Sequence, residues 1–311
     1  PDFPQGRNTT VTEDGLHLVA SNDGYIEYKN RLVNIIDLYT VSGDVDHAVG
    51  NIDFVGTVVV RGDVREGFHI KAGKDVIVRG MVEGSIIEAK NDISIAQGMR
   101  GMGKGKLLAG GNICGNFFEN SGISAKKSVK GETFMNCNVK AGDSIIVGGK
   151  RAALLGGEYT AGRVIRAKQI GSEAYAATNV TIQLPQQIVR RLVPENQEAM
   201  EELRKEQSER LVMVEQALAQ IKQQDYDLET QKMKLQTALR ELEVTEEPEN
   251  SEVHYEDYKI VGECVVYPGV KIAIGPYRLY IGQEYCCQKF YIEGGEIGVF
   301  PVSPADRGEG S

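Results

Sequence analysis

Ile70-Lys71-Ala72-Gly73-Lys74-Asp75-Val76 is one copy of a pattern that repeats through the middle of this chain. An apolar residue is followed two positions later by a small one, and four positions after that by a β-branched aliphatic. The other copies are Phe54/Gly56/Val60, Ile87/Ala89/Ile93, Leu107/Ala109/Ile113, Ile123/Ala125/Val129, Val139/Ala141/Ile145 and Tyr159/Ala161/Ile165. The small residues recur every 16 to 20 positions. That period is too short for a helix pair or a propeller blade. It suits one turn of a parallel β-solenoid, which buries its apolar residues only by stacking on the next turn. The small residue belongs at a corner, where backbones of a narrow core approach closely. Each corner is followed by period-two alternation, as in Val76/Val78 and Ile145/Val147, the mark of a strand. The function of such a fold lies on its outer faces and ends, so a surface is sought and not a buried pocket.

With 311 residues, 41% of them hydrophobic, the chain can bury the core of one large domain or two ordinary ones. Thirty-six glycines against 9 prolines, and no tryptophan, fit a turn-rich repetitive β protein better than an enzyme with an aromatic-lined pocket. No apolar run approaches the roughly 20 residues that span a bilayer. Cys114, Cys137, Cys264, Cys286 and Cys287 are irregularly spaced and form no CxxC. This argues against a disulfide framework or zinc site and for a reducing, cytoplasmic setting. Adjacent Cys286 and Cys287 read as a strand pair, one facing in and one out, with a redox pair as the alternative. The net charge of −9 conceals a division: residues 61–168 carry 18 Lys/Arg against 10 Asp/Glu, residues 195–259 carry 8 against 18. Such asymmetry points to partner binding or to contact between the two parts.

The expected organisation is mainly β. Residues 1–42 form strands leading into the solenoid, and 43–184 form a parallel β-helix. Residues 185–246 form an inserted coiled coil, 247–302 return as strands that complete the β domain, and 303–311 are a frayed tail. The longer turns are expected to bulge at 97–106 and 148–158. In the insertion, Val214, Ile221, Leu228, Leu235 and Leu242 fall seven apart, with Leu211, Leu218 and Leu239 on the companion seam. A helical hairpin turning near 223–227 returns the chain more easily than one long helix, since the acidic linker 246–257 spans at most about 40 Å.

The segments GTVVVRGDV (56–64), GFHIKAGKDVIVRGMVEG (67–84), LLAGGNI (107–113), FFEN (117–120) and AKQIGS (167–172) resemble the flagellar assembly protein A family. So do Gly50-Asn51-Ile52, the turn at Gly156-Gly157, and Val266-Tyr267-Pro268-Gly269-Val270 after the helical stretch. The resemblance implies a right-handed parallel β-helix of the bactofilin type carrying a helical hairpin. It also implies a cytoplasmic bacterial protein with no catalytic residues and a scaffolding or localising role in flagellar assembly, at the cell pole or membrane periphery. A sugar phosphotransferase signalling protein is the partner it implies. Family members carry a further N-terminal domain, and the start at Pro1 without a methionine leads to the expectation that a segment precedes this chain.

Several motifs have bland readings. Gly98-x4-Gly103-Lys104 satisfies the first part of a phosphate-binding loop, but Gly105 replaces the required Ser or Thr and a solenoid turn follows instead of a helix. His47 near Asp44, Asp46 and Asp53 reads as a solvated acidic turn before it reads as a metal site. His69, between Phe68 and Ile70, points outward by alternation. No Ser/His/Asp set or carboxylate pair can be argued from spacing, and the signatures of solenoid lyases and acyltransferases are absent from the sequence. No cofactor and no catalytic residue is expected. The candidate partner-binding residues are basic: Arg100, Lys104 and Lys106 on a Gly-rich extension, then Lys126, Lys127, Lys130, Lys140, Lys150, Arg151, Arg163, Arg166 and Lys168 about one turn apart. They are expected to form a stripe that takes an acidic protein partner. Nucleic acid fits poorly, because aromatics are not interleaved. The reading is a non-enzymatic scaffold or adaptor, with homo-oligomerisation open. The alternatives are a self-assembling filament and a carbohydrate- or nucleotide-acting enzyme on a solenoid frame.

Overall fold

The computed structural model describes residues 3–22, 24–192 and 254–307. The chain falls into two units, residues 1–183 with 255–311, and residues 184–254. The first is mainly β, a parallel β-solenoid of about 8 turns. In the second, the helix Gln186–Leu192 is described; the rest of the expected coiled coil lies outside the described residues.

The solenoid has three walls. One stacks Ile52–Phe54, His69–Ala72, Ile86–Ala89, Lys106–Ala109 and Gly122–Ala125 in parallel register, and continues through the end of Thr133–Ala141 to Ala153–Ala161, Thr178–Ile182 and Lys271–Ile274. A second begins at Leu38–Val41 and runs through Thr57–Val60 and Val76–Val78 to Val164–Ile170 and Lys259–Val266. The solenoid therefore starts ahead of the expected residue 43. The third wall places Val82, Met99, Phe118, Phe134, Leu154, Ile170 and Val266 at one register position, pointing inward. All of those residues are buried. Phe118 stacks on Phe134 at 4.9 Å between centroids, and Tyr159 meets Phe134 edge-on at 6.3 Å. The Tyr159 hydroxyl donates to the Gly156 carbonyl at 2.7 Å, so the one polar atom of this aromatic layer is satisfied.

The corner alanines Ala72, Ala89, Ala109, Ala125, Ala141 and Ala161 stand directly over one another, all buried. The first copy of the repeat is displaced. Ile52, Phe54 and Val58, not Phe54, Gly56 and Val60, align with Ile70, Ala72 and Val76. Phe54 fits the corner because the end turn leaves room beside Tyr39, with ring centroids 5.7 Å apart. Gly56 is required for another reason, since a Cβ there would strike the Asp37 carbonyl oxygen.

Side chains tie successive turns together at the corners. The Asp92 amide donates to Asp75 Oδ1 (3.1 Å), the Asn112 amide to Asp92 Oδ1 (2.6 Å) and the Ser128 amide to Asn112 Oδ1 (3.3 Å). At another corner the Asp63 amide donates to Asp44 Oδ1 at 2.8 Å, and the Arg65 guanidinium reaches Asp44, Asp63 and Glu83. The Asp63 amide first, and then Arg65, hold the Asp44 carboxyl below its ordinary range.

The Gly-rich extensions bulge less than expected. Residues 97–100 belong to the strand Ile93–Arg100, and residues 153–158 to Ala153–Ala161. The expected tail is held as far as Arg307, where Pro304–Arg307 forms a short helical turn. After Lys271–Ile274 the strands turn antiparallel: Tyr277–Tyr280 and Tyr285–Glu293 pair with the last parallel rungs, and Glu296–Pro301 pairs with Tyr285–Glu293. No helix among the described residues is long and apolar enough to cross a membrane.

Candidate functional site

Register decides which of the basic residues can act together. Lys126 and Lys127 occupy the corner after Gly122–Ala125, and Lys130 is exposed on Val129–Gly131 just beyond it. Lys140 lies one turn on, paired in register with Ser124. The four exposed side chains thus surround one corner over two consecutive turns. Residues 110 and 142, the corner positions on the turns to either side of Lys126, are glycines, so no side chain crowds it. The nearby Asp143 is already engaged, with Arg163 at 3.7 Å and the Ser128 hydroxyl at 3.3 Å. Among the described residues, none of the four lysines has a carboxylate partner within ion-pair distance.

Two turns on, Arg163 occupies the corner position of Lys127 and pairs with the intervening Asp143, and Arg166 continues the column of Lys130; the other predicted residues stand elsewhere, so the expected single stripe divides. Arg100 stands on the third wall between Glu83 and Glu119. Lys104 pairs with Glu66 at 3.0 Å. It is followed by the strand Lys106–Ala109, so the phosphate-loop motif lacks its helix; Lys106 points out from that strand. Lys150 and Arg151 are exposed at a different corner, their amides donating to Glu132 Oε1 at 2.8 and 3.1 Å. Lys168 Nζ donates to the Gly149 carbonyl at 2.7 Å. Arg166 is half-buried, 3.7 Å from Glu263, and donates to the Asp306 carbonyl at 3.2 Å. Of the twelve candidates, Lys126, Lys127, Lys130 and Lys140 are the four that gather at one corner without a carboxylate partner among the described residues.

The histidines stay apart from any site. His69 faces outward, 3.9 Å from Glu88, and His47 packs edge-on against Phe68. No group of three His, Cys, Asp or Glu among the described residues is placed to hold a metal ion. A shallow concavity of about 510 Å³ on the first wall is lined by Glu158, Thr160, Asn179, Lys271, Arg278 and Tyr280.

One ionic cluster escaped the sequence. The Asp306 carboxylate, with 3% of its side chain exposed, receives Lys259 Nζ at 2.5 Å and Lys289 Nζ at 3.1 Å. The Ser303 hydroxyl and amide also donate to it, at 2.6 and 3.0 Å. Burial alone would push the carboxyl up; the donated hydrogen bonds outweigh it and hold the group far below the usual carboxylate range. The signal was legible in Ser303-Pro304-Ala305-Asp306, a capping box with proline at the first helical position.

The model of the Flagellar Assembly Protein A beta solenoid domain matches residues 37–297. The chain belongs to that family. No curated protein and no solved structure matches it. The family match opens at the first solenoid rung and closes within the antiparallel cap. The flagellar assembly protein A fold here is thus the solenoid with its cap, and the lysine quartet lies near its middle.

Proposed function

We propose that this chain is a non-enzymatic cytoplasmic scaffold or adaptor in flagellar assembly, and that it docks an acidic protein surface on the corner formed by Lys126, Lys127, Lys130 and Lys140. What carries the reading is that four exposed ammonium groups on two adjacent turns lack carboxylate partners within the described fold. Long, unpaired lysines at one place complement an acidic partner and accelerate its encounter. The family supplies the flagellar setting, and a sugar phosphotransferase signalling protein is the first partner to try. End-to-end filament growth is the weaker reading, because antiparallel strands already pair with the last parallel rungs.

The test compares the wild-type chain with K126E/K127E/K130E/K140E in a flagellated host lacking its own copy. The quadruple variant is expected to fold, to lose partner capture and to reduce flagellation. Normal flagellation and unchanged capture would overturn the docking corner.

A further inference from the structure

Cys286 and Cys287 do not alternate in and out as a regular strand requires. Both are exposed, and Cys287 has a positive φ of 52°, a left-handed conformation uncommon for a residue with a side chain. That twist turns two consecutive thiols to solvent. Their neighbour is a third exposed cysteine. The strand Lys259–Val266 runs antiparallel to Tyr285–Glu293, with Gly262 opposite Gln288 and Val265 opposite Cys286. Between those pairs the register slips, so Glu263 and Cys264 together face Cys287 alone. In the regular pairs that flank the bulge, opposed Cα atoms lie about 4.5 to 5.5 Å apart, and this holds the two strands at the close range of roughly 4.4 to 6.8 Å that a disulfide bridges. Of the remaining cysteines, Cys137 is buried and Cys114 half-buried, and neither lies on these strands.

We propose that Cys264 and Cys287 are an oxidisable thiol pair that closes into a disulfide across this bulge when the protein meets hydrogen peroxide. One thiolate attacks the peroxide O–O bond, becoming a sulfenic acid and releasing water once the departing hydroxide is protonated. The second thiolate attacks the sulfenic sulfur and expels its hydroxyl as a second water. Two electrons pass from the two sulfurs to the peroxide, and the two thiol protons leave in the waters. Cys286 is the bystander. It lies opposite Val265 and not Cys264, and partial desolvation, then the Glu284 carboxylate 3.8 Å from its sulfur, push its thiol up. Closure joins the strand by which the chain re-enters the solenoid to a strand of the cap.

The full chain is treated with hydrogen peroxide, its remaining thiols are alkylated, and it is digested with trypsin without reductant. The expected product is peptide 260–271 linked to peptide 279–289, lost on reduction, with two of the three exposed thiols no longer titratable. The link is expected to persist in C286S and C114S and to vanish in C264S and C287S. Absence of any link in the wild-type chain, a link that survives C287S, or a bond found only within peptide 279–289 or between two chains would each overturn the pair.

Discussion

Two corners of this solenoid occupy the same place in the turn and are built in opposite ways. Between Ala125 and Val129 the chain rounds the corner with Lys126, Lys127 and Ser128. Between Ile182 and Lys259 the same step takes residues 183–258, which include the second unit. The hydrogen bonds across the two are equivalent: the Gly142 amide donates to the Ala125 carbonyl, and the Gln183 amide to the Ala161 carbonyl. The walls therefore do not depend on what the corner chain does. The cations differ in their use. At the re-entry, Lys259 is locked to a buried carboxylate, whereas Lys126 and Lys127 are exposed and have no carboxylate partner among the described residues. The re-entering strand keeps its backbone bond, from the Lys259 amide to the Arg163 carbonyl, and adds the Asp306 clamp to it.

The comparison can be broken at several strengths. The walls should matter most. F134A removes a fully buried ring from the Phe118–Phe134–Tyr159 layer and is expected to cost about 4 kcal/mol in denaturant unfolding. D306N strands two lysines beside a neutral amide and is expected to cost about 3 kcal/mol, with faster amide exchange in Lys259–Val266 than in Val164–Ile170. The sign with pH follows from a carboxyl depressed in the folded state. The clamp's contribution is full above the ordinary carboxylate range near pH 4 and is lost as pH falls through the lower folded value. An acid titration of wild type against D306N should show their stabilities converging only there. Joining Gln183 directly to Tyr258 by deleting 184–257 recreates a short corner, since Lys259 aligns with Val164 as Ile182 does with Ala161. That deletion is expected to leave the solenoid's thermal midpoint within about 4 °C, and a collapsed β signature by circular dichroism would refute the equivalence. The four-lysine reversal should move the midpoint least, by about 2 °C or less.

The interior turns were legible because one residue type recurs where geometry leaves no choice, as Ala89, Ala109, Ala125 and Ala141 do at the corner. Legibility failed at the ends. At the first turn Phe54 takes the alanine position because its corner is not enclosed by a preceding rung, and Gly56 imitated the missing alanine. The Asp306 clamp joins residues 47 and 17 positions apart, Lys259 and Lys289, and no periodicity points to such a meeting. The basic stripe divided for a different reason. Residues about one turn apart share a corner only when they stand equally far past the corner alanine; Lys126 is one residue past Ala125, whereas Lys168 is seven past Ala161 and Lys150 and Arg151 are nine and ten past Ala141, at another corner. The thiol pair was half visible: two cysteines were adjacent in sequence, while the third came alongside only through a bulge.

The corner acceptors Asp75, Asp92 and Asn112 each take the amide of the turn that follows. A chain tied in this manner has a quantised length. Adding or removing one complete rung between Asn112 and Ser128 would leave every acceptor with a donor, whereas a fraction of a rung would leave one empty and turn the next strand's core face outward. Evolution can thus lengthen or shorten this protein as a ruler is lengthened, in whole graduations, and the distance between whatever is held at its two ends changes in steps of one strand spacing, about 4.8 Å.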